Sequence, residues 1–363
     1  MDALLKNAEK QHEEMENNLD TDQDFQLSDV PEPLQDTIKT FYMKPQFREE
    51  AAEIKLPQFF HRVPGSFFTS GDLVLLTRAH LARNFTLKGK PYDIKFDHAD
   101  SEMVRIDVDD QEGSVPKVFQ MTTSEQRYMK EHFSKLSSEK KIDVCKSTIH
   151  QILSRMDMID DGELKTYIDR IVEDMDSDTL SALEKSPNSF ASRIKKYIED
   201  LLEIHYEKTF REWVDSGEII CRPSYSLSGC ISPIKANTMY GKSLYAGEED
   251  VNGFEAQVLL ALTGMGNVKW WHRNISRSEF YINANINHYP DFIVKTTSDH
   301  IVLIEAKGDY LNNEENQQKL KVSRIWQNKA GDGYRYFMVF EKHAPDLEGA
   351  YSLERFLEVM QKL

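Results

Sequence analysis

The sequence predicts a mixed α+β or α/β protein whose most regular part is its C-terminal third. Three observations predict this class. The last third has helix and strand patterns in the order α-β-β-β-α-β, the middle has helical periodicity alone, and the region before it has short apolar runs separated by turn residues. These patterns divide the chain into an acidic tail (1–30), a mixed strand-containing region (31–121), a helical region (122–217), a linker or docking segment (218–250) and a C-terminal domain (251–363).

Charge limits how the protein can contact nucleic acid. The chain carries 61 acidic and 45 basic side chains, which gives a formal charge of -16. Such a surplus argues against a protein that coats nucleic acid by bulk attraction. Because acidic and basic residues almost balance after Val251, any contact with DNA is expected to be local and to involve the C-terminal third.

The sequence predicts a cytoplasmic protein without membrane contact. No apolar run approaches the roughly 18 residues of a membrane span, and the acidic N-terminus lacks the apolar segment of a signal peptide. The three cysteines, Cys145, Cys221 and Cys230, are widely spaced and outside any zinc-binding motif, so they are expected to be free thiols.

The helical middle is predicted from apolar residues that recur at three- and four-residue spacing. A helix start at Thr122–Glu125 precedes one such stripe, which ends near Met156, and further stripes begin at Leu164 and Phe190. Since these stripes carry no catalytic constellation, a structural bundle or connector is expected. Cys221–Asp250 is rich in Ser, Gly and Pro, which favours an irregular linker or docking segment.

The C-terminal elements end in a group of charged residues. Ile301–Ile304 is apolar throughout, which is typical of a central strand covered on both faces. Because successive side chains of a strand alternate, Glu305 and Lys307 share a face and Ala306 points away from it. The predicted elements are a helix at 254–262, strands at 268–275, 280–282, 289–297 and 301–306, a helix at 314–328, a strand at 334–340 and a terminal helix.

Asp291 joins this group only in one strand register. A three-residue loop, Thr297–Asp299, places Asp291 opposite Glu305, and residues directly opposite in an antiparallel pair share a face. A four-residue loop places Asp291 opposite Ala306 instead. We therefore predict an odd loop or a bulge in this hairpin.

Two carboxylates on one face predict a divalent-metal site. Mg²⁺ prefers a few protein oxygens supplemented by water and substrate phosphate. The metal polarises a phosphodiester oxygen and lowers the pKa of a bound water, while Lys307 orients that water or offsets charge in the transition state. The carbonyl of Ala306 and the carboxylate of Glu255 are candidate further ligands beside Asp291 and Glu305. Hydrolysis of a nucleic-acid backbone fits these parts.

These residues resemble a known family. Pro290-Asp291 and Glu305-Ala306-Lys307 resemble the signature of the PD-(D/E)xK nucleases. More narrowly, residues 232–340 are similar to the C-terminal nuclease domain of type III restriction endonuclease (Res) subunits and related defence helicases. The ordered set of motifs carries the resemblance: "SLY" at Ser243–Tyr245, "NGFE" ending at Glu255, "VKWWHRN" at Val268–Asn274, "HYPDFIV" at His288–Val294 and "LIEAKGD" at Leu303–Asp309.

The resemblance implies a restriction-endonuclease-like αβββαβ core and DNA cleavage with Mg²⁺, or with Mn²⁺ in its place. It implies that Asp291 and Glu305 are metal ligands, that Lys307 is the catalytic lysine and that Glu255 is the helix acid. In these relatives an ATPase motor precedes the nuclease, whereas no Walker A motif occurs in the first 250 residues here. Either the motor is a separate helicase or ATPase subunit of a restriction or antiphage system, or this is a shortened relative that cuts without translocation.

Several basic and aromatic residues are candidate DNA contacts. Trp270 and Trp271 either stack on bases or divide between core and rim. A basic helix face is often only solvated, and a strand histidine is often a packing residue, so both alternatives stay open. The basic candidates are Lys319, Lys321, Arg324, His272 and Arg273.

Two other functions compete with the restriction-type nuclease. One is a catalytically silent DNA-binding or scaffolding subunit that docks a partner through the first 250 residues. The other is a stand-alone, resolvase-like nuclease that recognises branched structures. Retention of the Asp, Glu and Lys together favours catalysis over a silent fold.

Overall fold

The computed structural model describes residues 39–63, 72–96, 104–107, 117–120, 135–156, 158–308 and 314–363. Within these residues the chain is a mixed α+β protein, as predicted. The predicted acidic tail and the helix start at Thr122–Glu125 lie outside the described residues.

The elements alternate irregularly along the chain. In the described residues the helices are α1 (Pro45–Glu53), α2 (Arg78–Leu81), α3 (Ser138–Leu153), α4 (Asp161–Glu173), α5 (Ser177–Lys185), α6 (Pro187–Ser216), α7 (Gly253–Gly264), α8 (Glu314–Ala330) and α9 (Leu353–Met360). The strands there are β1 (Phe41–Tyr42), β2 (Lys55–Arg62), β3 (Leu73–Leu75), β4 (Val104–Asp107), β5 (Lys117–Gln120), β6 (Ile219–Ser226), β7 (Cys230–Ile231), β8 (Ala236–Asn237), β9 (Glu248–Glu249), β10 (Val268–Arg273), β11 (Ile282–Asn283), β12 (Asn287–His288), β13 (Phe292–Thr296), β14 (Ile301–Lys307), β15 (Tyr334–Phe340) and β16 (Ala350–Ser352). None of these helices combines the length and the apolar character needed to cross a membrane.

The described chain forms two compact units. The first, the sheet unit, comprises the residues up to Arg78 together with Glu212–Leu363, and the second, the helical unit, is Ala79–Arg211. The helical unit is therefore an insertion within the sheet unit. The predicted division into consecutive regions at 121, 217 and 250 differs from this arrangement, because residues far apart in the sequence complete one unit.

Between Ser138 and Ser216 the described residues form one more helix than predicted. Leu164 and Phe190, which begin two of the predicted stripes, are buried in α4 and α6. The additional helix, α5, begins where the Asp176 carboxylate accepts a hydrogen bond from the backbone N–H of Thr179 at 2.7 Å. A helix of nine residues has too few turns to give a clear apolar period, and the cap is its strongest sequence signal.

A five-stranded mixed sheet organises the C-terminal part of the sheet unit. Its strand order is β10-β13-β14-β15-β16, with antiparallel pairs among the first three strands and parallel pairs among the last three. The parallel step from β14 to β15 is made by the long crossover through α8. Val302, Ile304 and Ala306 of β14 pack into one core cluster with α7 and α9. Alternation therefore turns Glu305 and Lys307 to the opposite face, as predicted.

The hairpin of β13 and β14 has the predicted register. Phe292 pairs with Ile304 and Lys295 with Ile301, and the backbone N–H of Thr296 donates to the carbonyl of His300 at 2.9 Å. The loop is the three-residue segment Thr297–Asp299. Asp299 closes it in the left-handed conformation with φ 68°, which Asp tolerates better than most residues.

The segment predicted as an irregular linker contains ordered strands. The eight-residue strand β6 pairs with β2 in the sheet β3-β2-β6, and Phe59 lies opposite Cys221. α8 contacts β2, β6 and β15, and the indole N–H of Trp326 donates to the carbonyl of Pro57 at 2.8 Å. The Ser, Gly and Pro content of Cys221–Asp250 therefore concealed a strand whose partner lies more than 150 residues earlier.

Candidate active site

Asp291 and Glu305 lie side by side at one end of β13 and β14. The register that pairs Phe292 with Ile304 places them opposite each other one step further along. Oδ2 of Asp291 accepts a hydrogen bond from the backbone N–H of Ala306 at 2.7 Å. This bond fixes the Asp291 side chain against the strand that carries Glu305.

Lys307 forms an ion pair with Glu305 on the same face of β14. Its Nζ lies 2.7 Å from Oε1 of Glu305. Glu305 is only 3% exposed, and its second oxygen, Oε2, is buried without a hydrogen-bond partner within the described part of the chain. A buried carboxylate oxygen without a donor is costly unless another group binds it. Oε2 of Glu305 is therefore an open acceptor position.

Arg273, the last residue of β10, connects Glu255 with Asp291. Its Nη2 donates to Oε1 of Glu255 at 3.0 Å. Its Nη1 donates to Oδ1 of Asp291 at 3.1 Å and to the backbone carbonyl of Asp291 at 2.9 Å. The other oxygen of Glu255 accepts from the N–H of Asn252 at 2.9 Å, in a capping box that begins α7. Arg273 therefore bridges the carboxylates of Glu255 and Asp291.

The site concentrates negative charge in a buried place. Burial and the charge of Glu305 raise the pKa of Asp291 to about 6, against the opposing charges of Arg273 and Lys307. Burial also raises the pKa of Glu255, although Arg273 opposes this shift. Burial lowers the pKa of Lys307, but the charges of Glu305 and Asp291 outweigh it and raise that pKa above its usual value. Lys307 is therefore a permanent cation at neutral pH.

The donor types suit a hard divalent cation, although the carboxylates are not gathered around one point. Across the described residues no three His, Cys, Asp or Glu side chains converge as a ready metal site. The positive charge between Glu255 and Asp291 is that of Arg273, which lies where a metal ion would contact both carboxylates. The open oxygen of Glu305 fits Mg²⁺ or Mn²⁺, whereas the oxygens of Asp291 and Glu255 that Arg273 holds become available only when Arg273 leaves them. Ala306, predicted to offer its carbonyl, contributes its N–H to Asp291.

His272 is a buried ion-pair residue and does not present a surface for DNA. Its Nδ1 lies 2.7 Å from Oε2 of Glu248, and its Nε2 lies 3.0 Å from Oε2 of Glu279. Burial lowers the pKa of His272, but the charges of Glu279 and Glu248 outweigh it and raise that pKa to about 10. Glu248 also accepts from the backbone N–H of Arg273 at 3.1 Å. This network therefore supports the arginine that reaches the site, and the predicted DNA contact through His272 is corrected.

The basic residues of α8 do not form one continuous face. Lys319 lies 2.5 Å from Glu315 in an ion pair of adjacent turns, and Arg324 pairs with Glu348. Lys321 is exposed. Burial, together with the charge of Lys319, lowers the pKa of His288, three residues before Asp291.

The tandem tryptophans are core residues. Trp270 and Trp271 are both fully buried, on opposite faces of β10. The indole N–H of Trp271 donates to the carbonyl of Gly241 at 2.7 Å. Neither ring is available to stack on a base, and the predicted division between core and rim is also wrong, because both rings lie in the core.

Sequence reasoning missed three polar residues near the site, of which Glu248 and His288 are buried. Glu248 and Glu279 hold His272, and His288 lies 2.9 Å from the hydroxyl of Tyr336 through Nε2. Burial, with the charges of Lys319 and Lys307, lowers the pKa of His288 well below its usual value, so its ring is neutral. A motif could have flagged only His288, which begins "HYPD", because no spacing rule connects Glu248 or Glu279 with His272.

The site combines four charged groups at one end of the sheet. They are the neighbouring carboxylates of Asp291 and Glu305, the ammonium group of Lys307 and the guanidinium group of Arg273. Such a group can bind a divalent cation and neutralise the charge of a phosphate.

Comparison of the chain with protein-family models, with curated proteins and with solved structures gave no match.

Proposed function

We propose that this protein is an endodeoxyribonuclease that hydrolyses phosphodiester bonds with Mg²⁺, or with Mn²⁺ in its place. The observation that carries the proposal is the grouping of Asp291, Glu305 and Lys307 at one end of the five-stranded sheet. A strand-end carboxylate pair with a lysine is what the resemblance to the PD-(D/E)xK nucleases implies. We include in the proposal the restriction-endonuclease-like core that the same resemblance implies.

Asp291 and Glu305 are the proposed ligands. The hydrogen bond from Ala306 holds Asp291 in place, and Oε2 of Glu305 is the acceptor that lacks a partner. A bound divalent cation supplies polarisation of the phosphodiester and a water of lowered pKa. Glu255 is a proposed additional ligand that Arg273 must first release.

Lys307 acts as a charge and not as a base in this proposal. Its pKa is raised by Glu305 and Asp291 although burial opposes the shift, so it keeps its proton at neutral pH. A cation fixed beside the scissile phosphate stabilises the negative charge that develops in the transition state. The ion pair with Glu305 at 2.7 Å holds the ammonium group in position for this role.

DNA is the proposed substrate, and a helicase or ATPase is the proposed partner in a restriction or antiphage system. The motor is included in the proposal because an ATPase motor accompanies the nuclease in the proteins that this sequence resembles. The near balance of charge after Val251 supports a local DNA contact in the C-terminal third. Lys319 and Arg273 are the proposed basic contacts near the site.

A second candidate function has one observation in its favour. Arg273 occupies both Glu255 and Asp291, as expected of a nuclease-like fold that has become a silent DNA-binding or scaffolding subunit. The two functions differ in one respect that can be measured, since only the nuclease requires Lys307 and a divalent cation.

Nicking of supercoiled plasmid tests the proposal. The protein is incubated with Mg²⁺, Mn²⁺ or EDTA, alone and with the product of a neighbouring helicase or ATPase gene. We expect metal-dependent nicking that Lys307→Ala reduces by about 100-fold or more. The control is Lys329→Ala, an exposed lysine in the last turn of α8, which should nick like the wild type. DNA binding without nicking under every condition would favour the silent subunit.

A further inference from the structure

A pair of tyrosines lies beside the candidate site and is not used by the proposed chemistry. The hairpin of β11 and β12 pairs Ile282 with His288. One step further from the turn, Tyr281 therefore lies across from Tyr289. Their ring centroids are 5.1 Å apart at an interplanar angle of 33°. Both side chains are half-buried, unlike the tryptophans of β10.

Tyr289 is close to Asp291 along the chain. Tyr289 and Asp291 are half-buried while Pro290 between them is buried, which fits an extended segment with alternating side chains. At about 3.3 Å per residue, the two Cα atoms are about 7 Å apart. A nucleotide whose phosphate lies at Asp291 therefore has a neighbouring base within reach of the Tyr289 ring.

The backbone around the two tyrosines is held at fixed spacing. The side-chain amide of Asn274 donates to the carbonyl of Phe280 at 2.8 Å and to the carbonyl of Pro290 at 2.9 Å. These carbonyls belong to the residue before Tyr281 and the residue after Tyr289. The backbone that carries the two rings is therefore fixed before a ligand binds, which lowers the conformational-entropy cost of binding.

We propose that Tyr281 and Tyr289 form a stacking platform for an unpaired base next to the scissile phosphate. This inference rests on the proposed function, because the carboxylate site defines where the phosphate lies. Aromatic side chains stack on bases of any sequence, whereas a base inside a duplex is already stacked on its neighbours. The substrate class is therefore single-stranded DNA, or duplex DNA with unpaired nucleotides at the cleavage point.

Binding measured without cleavage tests the platform. Fluorescence anisotropy in EDTA follows a labelled oligothymidylate and, separately, a duplex of equal length. We expect Tyr289→Ala to weaken binding of the single strand about 5-fold to 100-fold, the range of one lost base stack. Tyr281→Ala should weaken it in the same direction, and Tyr289→Phe, which keeps the ring, should bind like the wild type.

Matched measurements separate the platform from general damage and from the nuclease proposal. Tyr42→Ala removes a tyrosine that is 62% exposed elsewhere in the sheet unit, and it should leave both affinities unchanged. Equal affinity of wild type and a folded Tyr289→Ala for the single strand overturns the platform, as does equal weakening for the duplex. If Tyr289→Ala binds the single strand like the wild type while plasmid nicking persists, the platform proposal is overturned and the nuclease proposal is kept. If single-strand binding depends on the Tyr289 ring but no nicking occurs with any metal, the nuclease proposal is overturned and the platform proposal is kept.

Discussion

Arg273 holds Asp291 by two hydrogen bonds from one nitrogen, to the carboxylate at 3.1 Å and to the backbone carbonyl at 2.9 Å. The same guanidinium holds Glu255. A positive side chain thus occupies the carboxylates that a divalent cation is proposed to use. In the proposed nuclease, Arg273 and the metal ion compete for the same carboxylates, and this competition can be measured.

Arg273→Ala should destabilise the metal-free protein and increase its response to metal. Removing one partner of a buried ion pair costs about 3 to 5 kcal/mol, because the remaining carboxylates stay buried without a counter-charge. We expect urea unfolding in EDTA to show this loss and Mg²⁺ to raise Tm more in the variant than in the wild type. Arg355→Ala is the control, since its pair with Glu358 is exposed and contributes about 1 kcal/mol or less. An equal Mg²⁺ response in wild type and Arg273→Ala would contradict this competition.

Metal affinity should fall as the pH falls through about 6. The pKa of Asp291 is raised from 3.8 to about 6, so its carboxylate binds a proton more tightly in the folded, metal-free protein than in the unfolded chain. Its contribution to stability is complete below pH 3.8 and is lost as the pH rises through about 6. Since a metal ligand must be ionised, Mn²⁺ titrations should show weaker binding below this value. Asp291→Asn should abolish both the binding and its pH dependence, and binding independent of pH in the wild type would count against Asp291 as a ligand.

Substitution of His272 should cost more stability at acid pH than at alkaline pH. The pKa of His272 is raised from 6.5 to about 10. Its charged form therefore stabilises the fold fully below pH 6.5, and this contribution is lost as the pH rises through about 10. Chemical unfolding of wild type and His272→Gln across this range should show a converging difference. His343→Gln, at an exposed position, is the control, and a difference that does not change with pH would show that His272 is not charged in the fold.

The loop between β13 and β14 should tolerate glycine at Asp299 but not valine. Asp299 has φ 68°, a conformation that costs a residue with a side chain about 1 to 2 kcal/mol. We expect Asp299→Gly to keep the Tm within a few degrees and Asp299→Val to lower the stability by about that amount. Because the strand register is also fixed by buried side chains such as Phe292 and Ile304, both variants should keep metal-dependent nicking. Loss of nicking in Asp299→Gly would show that the loop shapes the site directly.

The strand part of the site was predictable because it depends on alternation and on one loop length. Apolar Ile301–Ile304 identified a central strand, and an odd loop or a bulge was predicted because Asp291 shares the face of Glu305 only in such a register. The register in the structure, with its three-residue loop, agrees with that condition. Buried residues on both faces of β14 leave no alternative register.

The arginine and the histidine network were not predictable in the same way. "WWHR" gives no indication that Arg273 turns toward two carboxylates while His272 lies between Glu248 and Glu279, because Trp270, Trp271 and His272 are buried in succession and show no alternation. Long side chains reach partners that strand periodicity does not specify. Pairing of β2 with β6 was missed for a related reason, since local patterns contain no information on partners separated by a whole inserted unit.

The insertion of the helical unit has a consequence for protein engineering. Leu75 of β3 and Ile220 of β6 both lie opposite Phe60, on the two sides of β2. Neighbouring strands are about 4.8 Å apart, so Leu75 and Ile220, which lie in the strands before and after the inserted unit, are only about 10 Å apart. A few residues of flexible linker can span that gap. Replacing Ala79–Arg211 with such a linker should therefore give a minimal protein, whereas cutting the chain at residue 250 would remove β2, β3 and β6 and leave one face of α8 exposed.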